Sequence, residues 1–283
     1  MIADAFLWVL NRTPSLRRAL WRLFFDVLAA RFGNIGWWTL MNYGYAELER
    51  STGSFDLEPD DEAERYPIAL YRHVATLAPV AGCDVLEIGS GRGGGASYVA
   101  RYLKPRTMVG LDLSGRAVAF SNRRHVVANL RFRQGDAERL PFEDQSFDSV
   151  INVESSFCYP SIDGFFAEVK RVLRPGGHLH YTDLRLANEL VDWHTAIARS
   201  GLDIVCERDI TANVIEALHR DSNRRRDGGR RIAGGPFSAI ADVFTGVDGT
   251  RIPSLLASGG MAYYSFLLRK PPVAQPMAAY AAG

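Results

Sequence analysis

Between residues 84 and 181 the chain alternates short apolar runs with stretches of helical spacing. Strands are predicted at 84–88, 108–111, 130–133, 149–153 and 178–181, and helices at 94–103, 116–127 and 162–173. Strands alternating with helices of this length indicate a parallel sheet covered on both faces. Ahead of this region, Phe6, Leu10, Leu16, Leu20, Leu23, Phe24, Val27 and Leu28 recur at helical spacing, with Arg17, Arg18 and Arg22 between them. That is an amphipathic helix, best used by packing within its own cap. An aromatic stretch follows at 37–45, then a polar loop at 56–64, then a helix carrying Tyr71 and His73. Beyond Asp183 the pattern predicts helices at 188–199 and 211–219 and strands at 203–207 and 262–268. The basic segment 224–231 reads as a solvated mobile loop. The organisation expected is an N-terminal helical cap (1–65), a core (66–207), a helical lid insert (208–260), a final core strand (261–270) and a frayed tail (271–283).

Composition narrows the class. The 283 residues are 47% hydrophobic and 23% charged, an ordinary globular balance. Lys plus Arg is 33 against 32 for Asp plus Glu, a net charge of +1, so the chain lacks the cationic surplus of a dedicated nucleic-acid binder. No apolar run approaches the ~20 residues of a spanning helix, and no basic residues precede the short run at 5–10, so neither stable membrane insertion nor a signal peptide is expected. Cys83, Cys158 and Cys206 are widely spaced and odd in number. They suggest neither a disulfide framework nor a metal site, and a cytoplasmic location is the default expectation. A homo-oligomer is left open.

The richest segment is Val85-Leu86-Glu87-Ile88-Gly89-Ser90-Gly91-Arg92-Gly93-Gly94-Gly95, a buried strand running through a glycine turn into a helix. Glycine there admits positive φ and lets a ligand approach the backbone. Gly89-x-Gly91-x-x-Gly94 satisfies a dinucleotide fingerprint, and Asp112 stands at a suitable distance for a ribose diol. Taken alone, these glycines do not separate NAD from another adenosine-containing ligand. Further along come Gly135-Asp136-Ala137-Glu138, Leu140-Pro141-Phe142, Ser146-Phe147-Asp148-Ser149-Val150 and Leu173-Arg174-Pro175-Gly176-Gly177. In this order the series resembles the class I S-adenosylmethionine-dependent methyltransferases, strongly over residues 66–185. Gly93 to Tyr98, Gly110 to Leu113 and Asn152 to Pro160 look more narrowly like the mycobacterial phthiotriol and phenolphthiotriol dimycocerosate methyltransferases, which O-methylate a secondary hydroxyl on a polyketide-derived lipid.

The resemblance implies an α/β fold: a seven-stranded, mainly parallel Rossmann-like sheet with helices on both faces, the last strand antiparallel, and an insert before it. It implies S-adenosylmethionine as cofactor and a small-molecule acceptor. By position, Glu87 and the turn Gly89, Ser90, Gly91, Arg92 and Gly93 meet the methionine part. Asp112 with Leu113 takes the ribose, Asp136 with Ala137 the adenine edge, and Asn152 with Val153 the sulfonium and amino-acid portion. A carboxylate suits a diol because it offers two acceptor oxygens. The expected product is an O-methylated, large and mostly apolar natural product or lipid-like molecule of secondary metabolism, with Trp37, Tyr43, Phe157 and Tyr159 lining the acceptor side and Phe55, Tyr66 and Phe244 adding to it.

An alcohol attacks well only as its proton leaves, so O-methylation calls for a base. Many relatives place a histidine just after the fourth strand, where this chain has Phe157 and Cys158. The replacements are Asp183, first in order because strand ends face the ligand crevice, then His180, Glu154 and Tyr159. Strand alternation puts His178 and His180 on one face, Tyr181 and Asp183 on the other. The rival readings are C- or N-methylation on the same fold, a non-methylating cofactor-binding cyclase, and an NAD-dependent dehydrogenase, the last disfavoured by Glu87 and the Arg174-Pro175-Gly176-Gly177 turn.

Overall fold

A computed structural model describes residues 23, 26, 38–49, 55–232 and 250–272, with backbone alone at 228–232. Trp37, Phe244, most of the N-terminal amphipathic segment and most of the tail lie outside the described residues.

Strands β1 (Asp84–Ile88), β2 (Thr107–Asp112), β3 (Leu130–Gln134), β4 (Phe147–Val153) and β5 (Leu173–Leu186) run parallel. β7 (Met261–Arg269) inserts antiparallel between β5 and β6 (Asp203–Asp209), giving the order β3-β2-β1-β4-β5-β7-β6. This is the seven-stranded, mainly parallel sheet that the resemblance implies. The central strands are nearly continuous in burial because helices cover both faces. One face carries α1 (Arg65–Ala75) and α2 (Gly94–Tyr102), with Val85, Ile151, Val153 and Leu184 in a core that also holds Val74, Val99, Val214 and Tyr263. On the other, Leu86, Ile88, Val150, Leu179 and Tyr181 pack with residues of α4 (Ile162–Val172) and α5 (Leu190–Arg199). The helix α3 (Gly115–Arg124) follows β2 and is capped by Ser114, whose hydroxyl accepts from the Ala117 N–H.

Three expectations need correction. The polar stretch ahead of α1 is a loop only at 56–58: Pro59–Glu64 forms a 3₁₀ turn, fastened where Asp61 accepts both guanidinium arms of Arg101 (2.7 and 2.9 Å) and the Tyr102 hydroxyl (2.6 Å). β5 runs well past residues 178–181, because β7 pairs with it from His178↔Arg269 to Leu186↔Met261. The basic segment is not a solvated loop. It lies in helix α7 (Ser222–Ile232), which follows α6 (Thr211–Arg220), and Arg225 is buried. A further helix, α8 (Arg251–Ala257), leads into β7.

Candidate active site

The carboxyl edge of β1, β2, β4 and β5 carries the site. Immediately after β1 the backbone takes φ of +76° at Gly89 and +52° at Gly91. A Cβ on Gly89 would stand 2.5 Å from Ser155 Oγ, and one on Gly91 would stand 2.8 Å from Met41 Cε. Gly89 is therefore closed to a side chain by conformation and by space, and Gly91 by conformation. The Gly89 and Ser90 N–H groups donate to the Leu111 carbonyl (2.8 and 3.0 Å), tying the turn to β2. Asp112 ends β2 and accepts from the Gly91 N–H on Oδ2 and the Ser114 N–H on Oδ1, each at 2.8 Å. Each oxygen retains acceptor capacity. Burial raises this carboxyl, while those two backbone donors oppose the rise.

Glu87 is 1% exposed. Tyr71 of α1 donates to its Oε1 at 2.6 Å, and burial pushes the carboxyl up to about 7, with the nearby Asp112 charge adding to the rise. Asn152 Nδ2 lies 2.9 Å from the Ile88 carbonyl, 2.8 Å from Ser155 Oγ and 3.0 Å from Tyr159 Oη. Three buried polar atoms around this turn, Glu87 Oε2, Ser90 Oγ and Asn152 Oδ1, find no hydrogen-bond partner among the described residues. Buried polar groups are rarely left so unless a ligand or water completes them. Two carboxylates, an amide and a hydroxyl around a turn without side chains suit a ligand with a diol and an amino-acid end, which S-adenosylmethionine has.

The other expected cofactor residues are more varied in their surroundings. Asp136 Oδ1 accepts from the Glu138 N–H (2.9 Å), shaping the loop after β3. Ala137 and Val153 are packed in the two cores, and the Leu113 carbonyl accepts from Gln134 Nε2 at 3.1 Å. The Ala137 and Val153 side chains serve packing, which leaves their backbone groups to offer. The Arg92 side chain turns from the glycine loop to the N-terminal strap, residues 38–46. Its Nε donates to the Trp38 carbonyl (2.6 Å) and its guanidinium lies 3.8 Å from the Phe120 ring centroid. Burial lowers its pKa to about 10.

The strap crosses the sheet edge and reaches several elements. The Gly94 N–H donates to the Thr39 carbonyl (3.2 Å), and the Thr39 hydroxyl donates to Glu64 (2.8 Å). Asn42 Nδ2 donates to the Pro67 carbonyl (3.2 Å), and the Ala46 N–H to the Asn213 carbonyl of α6 (3.1 Å). Tyr43 is buried, and its N–H donates to Glu154 Oε1 at 2.7 Å.

Glu154, directly after β4, has φ +45°, a left-handed value unusual for a residue other than glycine. Its Oε1 also accepts the Tyr263 hydroxyl from β7 at 2.5 Å, and burial pushes this carboxyl up to about 8. Asp183 has no exposed surface and is saturated. Oδ2 accepts from the Ser156 hydroxyl (2.5 Å) and the Phe157 N–H (3.0 Å), Oδ1 accepts from the Leu184 N–H (2.8 Å), and Arg185 pairs with it at 3.2 Å. His180 lies on the opposite strand face, fully buried beneath α1, with Nδ1 3.1 Å from the Val74 carbonyl. Burial lowers its pKa to about 4. Phe157 is partly buried against the α1–α2 core, beside buried Cys158 in sequence. Tyr159, expected on the acceptor side, stands at the glycine turn: its Oη is 2.9 Å from Ser155 Oγ and lies where a Gly89 Cβ would meet it at 3.0 Å. Glu154, Tyr43 and Tyr263 thus meet, whereas His180 is held apart from them.

Sequence reasoning missed Tyr71, Tyr263, Ser155, Met41 and Arg225. Tyr263 stands 109 positions from Glu154, and only its place on a strand marked it. Among the described residues, no cluster of His, Cys, Asp or Glu could hold a metal ion, and no helix is long and apolar enough to cross a membrane.

A family model described as a methyltransferase domain matches residues 86–181. The chain is 38% identical over 254 residues to a phthiotriol/phenolphthiotriol dimycocerosates methyltransferase of Mycobacterium leprae (strain TN), covering 89% of this chain and 93% of that one. It is 46% identical over 181 residues to a fatty-acid O-methyltransferase of Mycolicibacterium smegmatis (strain ATCC 700084 / mc(2)155), covering 64% and 65%. Among solved structures, geranyl diphosphate C-methyltransferase from Streptomyces coelicolor A3(2) superposes with a TM-score of 0.64 at 17% identity, over 92% of this chain and 99% of that one. The [4+2]-cyclase SpnF does so with 0.66 at 20%, over 89% and 95%. At such identities these two report the fold alone. Fold, site and near full-length similarity together define a class: the chain belongs to the S-adenosylmethionine-dependent methyltransferases, and S-adenosylmethionine is its cofactor.

Proposed function

We propose that this enzyme moves a methyl group to an oxygen of a long, mostly apolar acceptor, a lipid-like or polyketide-derived molecule of secondary metabolism. The observation that carries the reading is the Glu154 carboxylate. It sits at the carboxyl edge of β4, held by Tyr43 N–H and Tyr263 O–H on one oxygen, with its proton affinity raised to about 8. Similarity to a phthiotriol-type methyltransferase and to a fatty-acid O-methyltransferase supports the acceptor class. So does the apolar character of the elements flanking Glu154, with Val214 and Leu218 of α6, Leu256 of α8 and Met261 of β7 buried in the same core as Tyr43 and Tyr263.

When bound, the cofactor supplies an electrophilic methyl group on a sulfonium. The protein's own residues do the rest. Asp112 holds the ribose diol, Glu87 and Asn152 hold the amino-acid end, and the strap with Met41 and Tyr43 covers the turn and excludes water. Glu154 would take up the acceptor's hydroxyl proton at its carboxylate. A base of this kind contributes ~10²–10⁴-fold, and alignment of the two reactants contributes further. Asp183, saturated by four donors, serves better as an anchor for the Ser156–Phe157 backbone than as a base. Phe157 lines the acceptor side, whereas Tyr159 belongs with the cofactor's amino-acid end.

The experiment is turnover with methyl-labelled S-adenosylmethionine and long-chain secondary alcohols, fatty acids and their chain-matched hydrocarbons, read by mass spectrometry. Label on oxygen supports the reading; label on carbon or nitrogen, or altered acceptor without label, overturns it. Glu154→Gln is expected to lower kcat by ~10²-fold or more with S-adenosylhomocysteine affinity retained. Full turnover in that variant removes Glu154 as the base.

A further inference from the structure

Helix α7 comes from the insert before the last strand, yet it reaches the centre of the site through one side chain. Arg225 is 8% exposed, and its Nη2 donates to the Asn42 carbonyl at 3.1 Å across 183 positions of sequence. Its Nε lies 3.0 Å from Asp221 Oδ2 at the α6–α7 junction, and Arg224 binds the same carboxylate at 2.5 Å. That carbonyl and the Tyr43 N–H belong to one peptide group, and the Tyr43 N–H donates to Glu154 Oε1 at 2.7 Å. A cation therefore sits on the oxygen end of a peptide whose hydrogen end sits on a carboxylate. Hydrogen bonding at a carbonyl polarises its peptide and strengthens the donor at the other end. The left-handed backbone at Glu154 brings the carboxylate to this N–H, and backbone strain of this sort persists where the surroundings impose it.

We propose that Arg225 is a positioning residue: through the Asn42–Tyr43 peptide its guanidinium holds Glu154 as the proton-accepting carboxylate when α7 is docked, so that the insert that borders the acceptor side also arms the base. The proposal rests on the reading of Glu154 as the base. The charged and titratable groups around Glu154 are Tyr43 of the strap, Tyr71 of α1, Asp183 of β5 with its partner Arg185, Tyr263 of β7 and Arg225 of α7. Burial and Asp183 raise the carboxyl. Tyr263, the Tyr43 N–H and the Arg225 charge lower it. With the arginine removed, Glu154 holds its proton to higher pH, and the ionised fraction, already a minority at pH 7, falls further.

The test uses the whole chain in three variants. Arg225→Met removes charge and donor, Arg225→Gln keeps a neutral donor in similar space, and Arg225→Lys keeps the charge. The Glu154 titration is followed by carboxyl NMR of glutamate-labelled protein, with Glu154→Gln assigning the signal. Folding is checked by the thermal shift with S-adenosylhomocysteine. The expected midpoints rise in the order wild type, Lys, Gln, Met. The acid limb of kcat is expected to move with them. A folded Gln or Met variant whose Glu154 midpoint stays at the wild-type value overturns the relay. If the midpoint moves while Glu154→Gln turns over at the full rate, the relay stands and the base assignment falls.

Discussion

Glu87→Gln separates what this site does for binding from what it costs the fold. The native carboxyl is 1% exposed, with Tyr71 on one oxygen and no partner on the other among the described residues. Its pKa rises from 4.5 to about 7. An acid whose folded-state pKa is raised binds its proton more tightly in the native chain than in the unfolded one, so its contribution to stability falls as pH climbs from 4.5 to about 7 and is level above that. At ~1.36 kcal/mol per pH unit the full loss is about 3 kcal/mol. Between pH 5 and pH 8 about 2.5 kcal/mol of it is seen, because the unfolded carboxyl is already roughly three-quarters ionised at pH 5. Glutamine carries no such dependence. Urea unfolding of the cofactor-free protein should therefore give a stability difference between variant and wild type that grows by about 2.5 kcal/mol in the variant's favour from pH 5 to pH 8. Comparing one protein pair at two pH values cancels any fixed cost of the amide. Affinity for S-adenosylhomocysteine should fall at least about tenfold, the worth of one charged hydrogen bond. The same stability difference at both pH values would refute the burial argument, and unchanged affinity would refute the assignment of Glu87 to the cofactor.

Three further outcomes follow from the geometry. Gly89→Ala places a Cβ 2.5 Å from Ser155 Oγ at φ +76°, so urea unfolding should show a loss of about 2 kcal/mol or more, with weakened S-adenosylhomocysteine binding in the thermal shift. Asp183→Asn breaks a buried pair with Arg185 and faces an amide N–H₂ with donors, so about 3–5 kcal/mol of stability should be lost. Per folded molecule its kcat should stay within about tenfold, whereas a collapse comparable to that of Glu154→Gln would return Asp183 to the role of base. On the proposed reading of Glu154 as the base, its value of about 8 means that kcat should rise with pH and level off only above about 8; a limb below pH 6 in a stopped-flow pH profile excludes it.

Much of the frame is legible in the order of residues alone. The run from Val85 to Gly95 announces a buried strand, a turn free of side chains and a helix start, and the structure builds β1, the positive-φ turn and α2 there. Alternation also put Asp183 and His180 on opposite strand faces, which the Ser156 and Val74 contacts bear out. Boundaries were less legible. β5 extends to Leu186 because β7 pairs with it from His178 onward, and in α7 the arginine-rich segment places Arg225 beside the Asp221 carboxylate with its Nη2 on the Asn42 carbonyl.

The sequence by itself determined the alternation of strands and helices and the glycine turn, because each is written in neighbouring residues as a period of apolar positions or a need for positive φ. Only the tertiary structure decided which acid meets which donor. Tyr43, Glu154, Arg225 and Tyr263 come from four separate stretches, and no local pattern couples them. Their meeting depends on how the strap, α7 and β7 pack over the end of β4. Burial there, more than residue type, sets one carboxylate as a saturated anchor and leaves another with a proton affinity near neutrality.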